Sequence, residues 1–113
     1  MPDVEKMVSI AQGLLENTSR GLVGWEATAS AFKFQTANSD YSITIEFPHY
    51  QGGPTLTIVD QGGRAIEQLS LDLKSDEGKL LASLYETARR RALNVDATLD
   101  RIMSELKAAR EKK

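Results

Sequence analysis

Arg89, Arg90 and Arg91 stand side by side in the segment 84–106, the longest run of like charge in the chain. Guanidinium groups grip phosphate and carboxylate well, because their five N–H donors form a rigid planar fork. Successive positions on a helix, however, diverge by about 100° and share no face. The triplet is therefore a fan. Arg90 points away from the apolar stripe, and Arg89 lies on one flank of it. Arg91 lies on the other, beside Leu80 and Leu84. Glu86 stands three residues before Arg89 and four before Arg90, where it can pair with either. Such pairing, with the gain of cations near a helix C-terminus, explains the run without any ligand. Arg91 together with Arg64 is the sharper candidate, as two walls of an anion site.

Three other residue types invite chemistry. Trp25 is the only tryptophan; it reads either as a core anchor or as a platform on which a nucleobase could stack. His49, the only histidine, sits with Tyr50 in the aperiodic run 47–54, which is rich in Pro and Gly. A loop with that pair could bind or exchange protons, although such loops mostly just connect strands. There is no cysteine, and His49 has no companion at metal-ligand spacing. No metal site or cofactor is therefore expected, and thiol chemistry is excluded. The phosphate-binding, dinucleotide, zinc-protease and nucleophile-elbow motifs are all missing, so no catalytic residue is assigned and the reading leans away from an enzyme.

Positioning these residues falls to a chain of 113 residues, the size of one domain with a single core. Val4, Met7, Val8, Ala11, Leu14 and Leu15 recur at helical spacing, predicting a helix over 4–16 that Asp3 caps. The pattern then changes to period two. Tyr41, Ile43, Ile45 and Phe47 alternate with Ser42, Thr44 and Glu46. Strands are also expected over 55–60 and 65–71, joined by a turn at Gln61-Gly62-Gly63. The stretch 25–35 reads as the first strand, but its parity slips: Trp25, Ala27 and Ala29 keep one phase, Phe32 and Phe34 the other. A bulge near Ser30 or two short strands would account for that.

The last third returns to helical spacing. Ser75 or Asp76 starts a helix to about Ala92, and Asn94 suits the left-handed residue beyond its end. A final helix capped by Asp96 follows from Ala97 to about Arg110, striped by Leu99, Ile102, Met103 and Leu106; one long bent helix is the competing reading. Residues 107–113 form a basic tail that should fray. The expected architecture is two-layer α+β: an N-terminal helix, a four-stranded antiparallel meander and two C-terminal helices packed on one sheet face. The opposite face would carry Ser42, Thr44, Glu46, Thr55 and Thr57.

Residues 1–78 hold 5 Lys/Arg against 11 Asp/Glu, whereas residues 79–113 hold 9 against 5. An acidic body with a basic end can steer an anionic partner or help subunits associate. The excess is too small to expect nucleic acid as a partner. No stretch predicts a signal peptide or membrane span, so a cytoplasmic protein is expected.

Leu14-Leu15-Glu16-Asn17-Thr18, Trp25-Glu26, the strand Tyr41-Ser42-Ile43-Thr44-Ile45, the hairpin 56–63 and the segment 84–106 together resemble a widespread group of small bacterial α+β proteins. In that pattern a glycine often stands at the position of Asn94, so the resemblance implies two helices there rather than one. It brings no assigned activity or site. The function expected is a non-catalytic binding or assembly module acting through protein–protein contacts, with the chain itself or another protein as partner. The alternative is a binder of a small, anionic, nucleotide-like molecule through Arg91, Arg64 and Trp25.

Overall fold

A computed structural model describes residues 3–48 and 52–111. The elements run α1 (Val4–Ser19), β1 (Glu26–Ala27), β2 (Lys33–Ala37), β3 (Tyr41–Glu46), β4 (Thr55–Asp60), β5 (Ala65–Ser70), α2 (Asp76–Ala92) and α3 (Val95–Glu111). The five strands form one antiparallel sheet in chain order, a continuous meander. The α+β class stands as expected, but the sheet has five strands rather than four. The parity slip in 25–35 is the cause. The chain turns at Thr28–Ser30, where the Thr28 hydroxyl accepts from the Ser30 N–H and donates to the Lys33 carbonyl at 2.8 Å. That turn converts one expected strand into the short β1 and its neighbour β2, with Ala27 opposite Phe34.

Alternation places Phe34, Ile43, Ile45, Leu56 and Leu69 on one face, all buried. Met7 and Ala11 of α1, and Leu81, Leu84, Tyr85 and Ala88 of α2, cover that face. Tyr85 packs against Phe34 and Phe47 at ring centroid distances of 5.6 and 5.8 Å, the latter edge-on. It is a central core residue. On the other face, register sets Gln35, Thr44, Thr57 and Gln68 side by side across four strands. Gln68 donates to the Thr57 hydroxyl at 3.0 Å.

The third helix departs from expectation. Asn94 does adopt the left-handed conformation, with φ 56°, and the chain has two C-terminal helices, not one. The second begins at Val95, with Asp96 inside its first turn rather than capping it, and it continues through Glu111. Yet α3 buries none of its residues. Of the two C-terminal helices expected on the sheet, only α2 packs there. Four inter-strand gaps of about 4.8 Å make a floor roughly 19 Å across, and two helices need 8–10 Å each. With α1 and α2 in place the floor is full.

Candidate interaction surface

The elbow between α2 and α3 sets the direction of the last helix. Leu93 N–H donates to the Arg89 carbonyl and Asn94 N–H to the Arg91 carbonyl, closing the end of α2. Positive φ at Asn94 then turns the chain, and its carbonyl accepts the first bond of α3 from Thr98. Asparagine tolerates this conformation better than other side chains that carry a Cβ. An ion pair between Arg90 and Asp96 spans the elbow.

Beyond it, α3 extends about 25 Å by helical rise. The projection lengthens the molecule to 64 × 34 × 25 Å and gives a radius of gyration of 16.5 Å, against about 13 Å for a compact domain of this size. Leu99 (48% exposed), Ile102 (45%), Met103 (67%) and Leu106 (66%) line one side, with Leu93 (47%) at the elbow. Asp100, Arg101, Ser104 and Glu105 occupy the remaining sides, and Arg101 pairs with Glu105 at 3.5 Å. The surface is an amphipathic helix whose apolar stripe faces water. Periodicity alone identifies such a stripe but not what covers it; the width of the sheet floor is the signal that distinguishes the cases.

The arginines are engaged one by one. Arg89 holds Glu86 at 2.8 Å, Arg90 holds Asp96, and Arg91 donates to the Ser19 carbonyl at 3.2 Å, satisfying an acceptor at the end of α1. Arg64 lies on the hairpin between β4 and β5, its Nε 3.4 Å from Asp60. It borders a shallow hollow of about 600 Å³ with Asp40, Asp60, Gln61 and Gly62, none of them basic. Arg64 and Arg91 thus serve different elements. The Asp60 carboxyl is held below its ordinary value of 3.8, chiefly by the Arg64 backbone N–H. The Arg64 side chain and the Gly62 N–H act in the same sense, against a desolvation that opposes them.

Trp25 is 6% exposed, and its indole N–H donates to the Thr18 hydroxyl at 2.8 Å inside the core. The ring has no open face on which a base could stack. His49 and Tyr50 lie outside the described residues. Among the described residues no group of three His, Cys, Asp or Glu could hold a metal ion, and no helix is long and apolar enough to cross a membrane. Comparison with known proteins finds no matching family model, no similar curated protein and no similar solved structure.

Proposed function

We propose that this chain is a non-catalytic assembly module that acts through protein–protein contacts, with α3 as its contact surface and self-association as its mode. The observation that carries this reading is the apolar stripe of α3, a helix of 17 residues with no buried position. An isolated helix of that length is marginal in water; packing of its apolar face is what ordinarily stabilises it. Full burial of one such side chain is worth about 1.5–3 kcal/mol, so finishing the burial of each half-exposed residue on α3 is worth roughly 1 kcal/mol. Eight of them in a symmetric pair offset an association cost of about 4–15 kcal/mol only modestly. Reversible, concentration-dependent association is the result to expect. The groups that an anionic ligand would need, Arg64, Arg91 and Trp25, already have partners within the chain.

The test compares the native chain with Ile102→Glu and Leu106→Glu, two substitutions at exposed positions of α3. Light scattering across a concentration series should show association that both variants lose, with melting temperatures in dilute solution unchanged. A native chain that is monomeric throughout, and that retains no protein which the variants release, would sink the reading.

A further inference from the structure

The geometry points to a definite partner for α3: a second copy of the same helix, running antiparallel, with a two-fold axis beside Ser104. This rests on the assembly reading above and specifies its partner, orientation and register. Val95, Leu99, Ile102, Leu106 and Ala109 follow one another at spacings of four, three, four and three residues, a seam of the kind that pairs two helices side by side. Placed antiparallel about Ser104, Ile102 faces Leu106 of the second copy, and Leu99 faces Ala109 of the second copy. Met103, the most exposed of the stripe at 67%, then meets its own symmetry mate on the flank of the seam.

Charge decides the orientation. The early part of α3 carries Asp96 and Asp100, and its end carries Lys107 and Arg110. Running antiparallel, Asp96 of one copy lies beside Arg110 of the other, twice by symmetry. The helix dipoles also oppose each other, which is their favourable arrangement. Each basic helix end comes to rest near the acidic body of the other copy, where residues 1–78 hold 11 Asp/Glu against 5 Lys/Arg. A parallel pair would offer Glu105 to Arg110 across the seam, but it would align the dipoles and crowd two acidic bodies at one end. The antiparallel pair has one like-charge approach, Glu105 to Glu105 at the axis. Each of those carboxylates is already paired with its own Arg101.

Because the chain has no cysteine, single introduced thiols report orientation cleanly. Full-length Leu99→Cys and Ala109→Cys proteins would be oxidised separately and as an equal mixture. In the antiparallel register Leu99 and its symmetry mate stand ten residues apart along the axis, about 15 Å, too far for a disulfide, whereas Leu99 and Ala109 are opposite. The expected result is a covalent dimer in the mixture and none in either protein alone. Cross-linking of each protein by itself would overturn the antiparallel orientation while leaving the assembly reading intact. A native dimer with no cross-link in any sample would overturn the register. A native chain that stays monomeric would overturn the second copy as occupant; retention of a different protein, lost in Ile102→Glu, would then be what keeps α3 a contact surface. Both substituted positions are exposed, so neither change disturbs the folded body.

Discussion

The hydrogen bond between Trp25 and Thr18 ties the end of α1 to the start of the sheet, and both partners are buried. A buried indole N–H without an acceptor keeps the whole desolvation cost of that group. Thr18→Val preserves side-chain volume and removes only the hydroxyl. It should therefore destabilise the protein by about 1–3 kcal/mol in chemical denaturation. Adding Trp25→Phe should recover part of the loss, and a double variant no better than additive would show that the bond contributes little. Asp60 supports a prediction in pH. Its folded carboxyl titrates below the unfolded value, so its contribution is present above about 3.8 and is lost as pH falls through the folded pKa. Asp60→Asn should flatten the acid limb of the stability curve below that point and leave the neutral region with the same slope. An acid limb of unchanged steepness would mean that other carboxylates dominate it. At this scale the sequence was informative about chemistry that is absent and about the arginine fan. It could not show that Tyr85 sits at the centre of the core, because a stripe reveals a face and not its depth.

Helices and strands follow from local spacing where that spacing is unambiguous. The period-two run from Tyr41 and the glycine turn after Asp60 became β3, β4 and β5, with Gly63 at φ 84° completing the turn. Stretch 25–35 was legible only as an inconsistency, since the Thr28 side chain that closes its turn bonds to backbone groups that no periodicity encodes. Gly78 is an instance where packing overrides propensity. It lies in the first turn of α2, and replacing a helical glycine with alanine is ordinarily worth up to about 1 kcal/mol of stability. Here the added Cβ would come 1.9 Å from the Asp72 carbonyl oxygen and 2.7 Å from its carbon. That contact is with backbone, so the loop 71–75 has to move. Gly78→Ala is accordingly expected to destabilise the protein, opposite in sign to the propensity scale. A thermal melt showing a raised midpoint would refute the close approach of α2 to that loop.

Seen whole, the molecule is a closed two-layer body with a helical arm, and that division was hidden in the sequence. The stripes of α2 and α3 are alike in spacing; what separates them is that α1 and α2 already fill the width of the sheet. The fold's capacity is a property of all five strands together, so no local window could have revealed it. The division predicts that the body and the arm fail independently. Ending the chain after Asn94 removes no buried side chain among the described residues, because α3 has none. It preserves the bonds from Leu93 and Asn94 that close α2 and loses one exposed ion pair, Arg90 with Asp96, worth less than about 1 kcal/mol. The shortened protein should thus unfold cooperatively at nearly the native denaturant midpoint when both are studied dilute. At high concentration the two should diverge. The full chain gains stability from association, by mass action, while the shortened chain does not. A truncated protein that is molten even when dilute would place α3 in the folding core after all. A midpoint independent of concentration for both chains would remove self-association as the reason why this arm carries an apolar face.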